Sequence, residues 1–156
     1  MENLYERYIL LSYNEDGDNE EYEDYNIDEY KAVDEVYKIA KNSDIRILSN
    51  KKLTGILVDI ETFEVIGGIW ISDCDGEFSF DIVIINSHQN MGLSHILIKS
   101  AINEYEILKE IYDEIGKEFK MNVDVINPKL ATILKDKYKF YVVKKIAENR
   151  VLMSKD

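Results

Sequence analysis

Apolar residues change their spacing several times along this chain, and each change marks an element. Tyr5–Tyr13 is apolar and aromatic with weak alternation, which predicts a first strand. Asn14–Asn26 follows as an acidic loop around Gly17, with Tyr22 and Tyr25 among carboxylates, and reads as too polar to give a core element. Across Ile27–Ala40 the apolar positions Ile27, Tyr30, Val33, Val36, Tyr37 and Ala40 recur at helical spacing, with Asn26 or Asp28 available as a cap.

From Ile45 the period falls to two. Leu53–Ile60, Glu64–Ser72 and Glu77–Ile85 are β-type runs rich in Ile, Val and Phe, joined through Glu61-Thr62-Phe63 and the hairpin signal Asp73-Cys74-Asp75-Gly76. Helical spacing returns after Gly92, where Leu93, Ile96, Leu97, Ser100, Ala101 and Tyr105 can share a face, and the pattern extends to Ile115 before Gly116 stops it. Met121–Ile126 reads as a short buried strand. Pro128 opens a helix to about Tyr138, and Phe140–Ile146 and Val151–Met153 close the chain as strands. The fold class is therefore α/β (α+β): a mixed, mostly antiparallel sheet of about seven strands with helices on both faces.

Size and composition narrow the picture. The 156 residues suit one domain, 1–156, and an apolar fraction of 46% is enough for a core. No apolar run approaches the roughly 20 residues that span a bilayer, and the first residues lack a basic segment followed by an apolar one, so a cytoplasmic location is expected. Cys74 is the single cysteine, which excludes an intrachain disulfide and a thiolate metal cluster. Residues 1–44 hold 14 acids and four bases, which is −10 of the net −12. Such a surface repels nucleic acid and anionic membranes, and it would attract a cationic amine.

The segment from Ile82 to Leu97 carries the chemistry. An apolar strand runs through a short polar loop straight into a helix, whose first amides and dipole favour phosphate oxygens. Within it, Gln89-Asn90-Met91-Gly92-Leu93-Ser94 resembles the diphosphate-binding motif Q/R-x-x-G-x-G/A of the GNAT superfamily of N-acetyltransferases, placed between the fourth strand and the long following helix. Asn86 stands where family members often have proline. Downstream, Asn127-Pro128, Ala131, Leu134 and Phe140 resemble the family's closing N…A..LY.K.GF segment. Lys135 stands in the slot of the family's frequent general-acid tyrosine, Lys139 replaces a glycine, and Ser94 replaces the second small residue.

The resemblance implies acetyl-CoA as co-substrate, bound by Gln89, Asn90, Met91, Gly92, Leu93 and Ser94. It adds Asn127, and the amides of Ile84 or Ile85 as oxyanion donors on a fourth strand splayed from the fifth. Candidate catalytic residues are Asp81, as a base if it turns inward beside Phe80, and Tyr138. Tyr138 and Tyr141 are the phenols near the altered acid slot, although the motif itself assigns neither a role. His88 is a second base candidate that reads more simply as a bystander, His95 reads as a packing or phosphate-side residue, and Trp70 as core or acceptor-site wall. The expected activity is transfer of an acetyl group to a small cationic amine or to a protein lysine or N-terminus. Nucleic acid and membrane are not expected partners; a homodimer stays open. The alternatives are a non-catalytic module holding acyl-CoA or a protein, and an acidic protein that occupies a basic surface.

Overall fold

The structure, a computed structural model, describes residues 4–17, 19–43 and 51–155. Met1 to Asn3, Asp18 in the acidic loop, and the start of the period-two pattern from Ile45 as far as Asn50 lie outside the described residues. Strands β1 (Tyr8–Ser12), β2 (Lys52–Asp59), β3 (Glu64–Ser72), β4 (Glu77–Ile84), β5 (Lys120–Val125), β6 (Tyr141–Ala147) and β7 (Arg150–Lys155) form a seven-stranded sheet in the order β1-β2-β3-β4-β5-β7-β6. β1 with β2, β2 with β3, and β7 with both β5 and β6 pair antiparallel, whereas β4 and β5 pair parallel, Glu77 with Lys120 and Phe78 with Met121. The helices are α1 (Leu4–Arg7), α2 (Glu21–Asp24), α3 (Glu29–Asn42), α4 (Ser94–Glu114) and α5 (Pro128–Tyr138). The chain divides into two compact units, Met1–Ile71 with Asp81–Ile102, and Ser72–Phe80 with Asn103–Asp156.

In the first unit, α3 begins where Asp28 Oδ1 accepts from the N–H groups of Tyr30 and Lys31 at 3.0 and 3.2 Å, so Asp28 is the cap and Asn26 is not. Its buried stripe is Ala32, Val36 and Ala40, packed with Leu11, Leu53, Ile56, Val58, Val65, Trp70 and Val83. That stripe is rotated from the expected face: Tyr30 is 82% exposed and Tyr37 44% exposed. Small residues face the sheet because β3 comes close. A Cβ on Gly68 would sit 2.5 Å from Val36 Cγ2.

Two expectations for the N-terminal part are corrected. Tyr5–Tyr13 is not all strand; Leu4–Arg7 is a helical turn, and only Tyr8–Ser12 pairs with β2. The turn places the Arg7 guanidinium on Asp59, with Nε and Nη2 at 3.1 and 3.0 Å from its two oxygens, and Nη1 3.0 Å from Glu61. Burial works to raise the pKa of Asp59, but hydrogen bonds from Arg7, the Glu61 N–H and Thr62, together with the Arg7 charge, outweigh it and hold the carboxyl below its ordinary value. The acidic loop does supply a core element. Its short helix α2 buries Tyr22 completely, with the phenol donating to Leu11 O at 3.3 Å. One aromatic anchor has no period, so spacing could not reveal it. Asn19 locks the same loop, bonding Asn14 through both amide atoms and Glu29 at 2.8 Å.

The second unit has its own centre. Phe119 stacks on Tyr112 at 4.4 Å and on Tyr105 at 5.4 Å, and Phe78 closes the group at 5.6 Å from Tyr105. Asn127 caps α5 by accepting from Lys129 N–H at 2.9 Å, and Pro128 follows at the first turn, where its missing N–H costs nothing. Every residue of β6 is exposed. Among the described residues, no helix is long and apolar enough to cross a membrane.

Candidate functional site

β4 ends at Ile84. A 3-10 turn over Asn86–His88 follows, then extended Gln89, and α4 starts at Ser94. Between them Asn90 and Gly92 take left-handed backbone, φ 66° and 82°. Asparagine tolerates that region and glycine enters it without strain, so both residue types suit their positions. Gln89, Asn90, Met91 and Gly92 are exposed, whereas Leu93 is buried and anchors the end of the loop to the core. The first helical turn closes with Ile96 N–H on Leu93 O at 3.0 Å and His95 N–H on Gly92 O at 3.3 Å. The sequence-predicted residues Gln89 to Ser94 thus run as one turn into a 21-residue helix, exposed from Gln89 to Gly92. Left-handed positions beside the first amides of a helix are a backbone arrangement that can hold an anion.

Of the two amides considered as oxyanion donors, Ile85 N–H already donates to Ile66 O at 2.9 Å. N–H directions alternate along a strand, so the Ile84 N–H points to the edge away from β3. Gln89 folds back onto that edge. Its Nε2 lies 3.1 Å from Ile84 O and 3.1 Å from Asn86 Oδ1.

Asp81 shares the face of Val83, two residues on, which belongs to the buried cluster around Trp70. It is turned inward, as is Phe80 on the opposite face, and its side chain is 14% exposed. Lys51 Nζ stands 2.8 Å from Asp81 Oδ2, while Oδ1 has no hydrogen bond among the described residues. Sequence reasoning missed Lys51, which sits 30 positions away on no periodic pattern. Trp70 is fully buried, with Tyr37 edge-on at 5.5 Å; its indole N–H has no partner among the described residues. His88 lies edge-on to Tyr8 at 5.8 Å with Ser87 Oγ 2.8 Å from Nδ1, and His95 is half-buried in the first turn of α4. Burial first, then Glu29 and Glu15, push the Tyr13 phenol up, a sign of the acidic field in this unit.

Asn127 and Tyr138 belong to the second unit. The Asn127 side-chain oxygen is engaged as the α5 cap, and Tyr138, half-buried, ends α5 with its carbonyl accepting from Lys155 Nζ at 2.8 Å. Lys135 is exposed. Cys74 is exposed in the β3–β4 turn. Among the described residues no group of three or more His, Cys, Asp or Glu side chains is arranged to hold a metal ion.

No protein-family model matches the chain, and no curated protein sequence matches it. Solved structures do. An acyl-CoA N-acyltransferase from Pseudomonas aeruginosa is similar with a TM-score of 0.52 at 11% identity, over 96% of this chain and 98% of that one. A Salmonella typhimurium protein described as an acetyltransferase, solved with its cofactor acetyl-CoA, is similar at TM-score 0.52 and 16% identity, over 81% and 87%. A spermidine N-acetyltransferase variant from Vibrio cholerae is similar at TM-score 0.51 and 16% identity, over 96% and 92%. With its seven-stranded mixed sheet and its long helix after β4, the chain has the acyl-CoA N-acyltransferase fold.

Proposed function

We propose that this chain is an acetyl-CoA-dependent N-acetyltransferase of a primary amine. One observation carries the reading: the turn Gln89–Ser94, exposed as far as Gly92 and left-handed at Asn90 and Gly92, opens directly into α4. Its residue types fit a diphosphate, since the backbone supplies donors and Gly92 lets the oxygens approach. Similar folds that bind acetyl-CoA or act on spermidine support the reading at the level of fold.

In this reading the loop amides from Gln89 to Ser94 hold the diphosphate. The thioester is the acetyl donor, and the Ile84 N–H, aimed at the edge away from β3, faces the carbonyl oxygen as negative charge develops there. Asp81 takes the proton from the attacking amine through Oδ1, with Lys51 holding Oδ2 in place; as the tetrahedral adduct collapses the carbon–sulfur bond breaks, and the coenzyme leaves as a thiolate that takes a proton from solvent. The exposed carboxylates Glu15, Asp16, Glu21, Glu23 and Asp24 give the first unit a field that draws in a cationic acceptor, either a small amine or a protein lysine or N-terminus.

A second reading, a domain that holds acyl-CoA or a protein without turnover, is favoured by Lys135 standing in the family's tyrosine slot. Calorimetric titration with acetyl-CoA, followed by thiol release across an amine panel, separates the two. Binding abolished by Gly92→Glu together with thiol release supports the enzyme. Binding without release under any amine supports the module, and no heat with wild type sinks both acyl-CoA readings.

A further inference from the structure

We infer that Lys51 and Asp81 together read the acceptor, selecting an amine with a carbonyl or carboxylate oxygen on the adjoining carbon: the α-amino group of an amino acid or of a peptide N-terminus. The inference rests on the acyl-transfer reading for its reaction and deepens it, since that reading leaves the class of amine open. Lys51 Nζ lies 2.8 Å from Asp81 Oδ2, and the two side chains are only 7% and 14% exposed. An ammonium has three hydrogens and no acceptor, and an ionised carboxylate has two oxygens that only accept. One of those hydrogens meets Oδ2, and among the described residues neither side chain has another partner. Two donors of Lys51 and the Oδ1 of Asp81 therefore stand side by side, unfilled and mostly withdrawn from the surface.

A pair of this kind adds little to folding, because desolvating both charges offsets their attraction and apolar residues of similar volume would serve as well. What it does supply is a charge pattern. In an α-amino compound standard bond lengths hold the nitrogen and the carbonyl oxygen about 3 Å apart, so the nitrogen can face Oδ1 while the oxygen faces Nζ. A plain alkylamine or a diamine satisfies half of this pattern. It sets a methylene or a second cation against Lys51, which leaves the buried donors unmet or adds a like charge. An α-amino group is also neutral about 300 times more often at neutral pH than a lysine amine, because its ordinary pKa is lower. On transfer the nitrogen bonds to the acetyl carbon and its proton passes to Asp81 Oδ1. The carbon–sulfur bond breaks, and the thiolate is protonated from solvent, while Lys51 keeps the adjoining oxygen in place.

The test compares glycinamide with propargylamine, an amine of similar size and basicity that has no oxygen, on the full chain with acetyl-CoA. Thiol release should give a kcat/KM at least about tenfold higher for glycinamide, the effect of one charge-assisted hydrogen bond. Lys51→Met should abolish that preference, and Lys51→Arg, which keeps donors and charge, should retain it. Glycine and glycylglycine then distinguish a free amino acid from a peptide N-terminus as the source. Propargylamine or putrescine used as well as glycinamide overturns the inference on wild-type protein alone, and so does a preference that survives in folded Lys51→Met. Saturation-transfer NMR without coenzyme separates this inference from the reading beneath it. Protein that ignores acetyl-CoA but binds glycinamide in preference to propargylamine removes the coenzyme reading and leaves the pair standing. Equal binding of the two amines, or none, overturns the pair.

Discussion

Gly67→Ala should destabilise the chain far more than the same change at Gly55, although both glycines lie inside paired strands of the first unit. A Cβ built on Gly67 lies 2.1 Å from Val83 O, a backbone atom, and real Cβ contacts essentially never fall below 3.0 Å. The oxygen cannot rotate away, so β4 itself must retreat by about 1 Å, and overpacking of that kind costs about 3 kcal/mol. At Gly55 the nearest atom is Leu10 Cδ1 at 2.8 Å, the end of a side chain that can change rotamer, and the cost should stay near 1 kcal/mol. For a chain of this size 1 kcal/mol moves Tm by about 2–4 °C. Gly67→Ala should therefore melt about 6–12 °C below wild type and Gly55→Ala about 2–4 °C below. Thermal unfolding by circular dichroism measures both. Because β4 runs from Val83 straight into Ile84 and the loop, Gly67→Ala should also weaken acetyl-CoA binding, and Gly55→Ala should not. Equal melting temperatures for the two variants would refute the close strand approach.

Two further outcomes are expected. The lowered Asp59 carboxyl contributes stability that is fully present above its ordinary value of 3.8 and is lost as pH falls through its depressed folded value. Asp59→Asn should accordingly lower the stability at pH 7, because the bidentate Arg7 contact is broken, and the gap to wild type should narrow as pH falls below 3.8 in acid-unfolding curves. Asp81→Asn should lower kcat by about a hundredfold while leaving the acetyl-CoA KM near its wild-type value, read by thiol release; a change in KM alone would remove Asp81 from proton transfer.

Much of the architecture was legible because burial is periodic. Glu64–Ser72 and the helix from Pro128 to Tyr138 match their elements residue for residue, one as an apolar run and the other through its proline start. What escaped lacked a period or a neighbour. Tyr22 is one buried ring among carboxylates, and Leu4–Arg7 is too short to repeat. The face of α3 was misjudged because Tyr30 and Tyr37 count as apolar in a spacing argument, yet they leave the core to the smaller Ala32 and Ala40, which fit beneath close-set strands. The Lys51 partner of Asp81 is a contact between distant positions, and no local pattern encodes it.

The motif itself shows where legibility ends. Gln89 and Gly92 stand out in the string of residues because glycine and a polar residue before a helix suggest backbone chemistry. That reading assigns the loop to an anion and treats the glutamine as one of two allowed letters. It is silent on which atoms face where. In the folded chain Ile85 N–H is occupied by Ile66 O, which leaves Ile84 N–H toward the other edge, and Ile84 O is occupied by Gln89. Ile84 thus turns its N–H and its carbonyl to one edge, and the carbonyl is taken by Gln89.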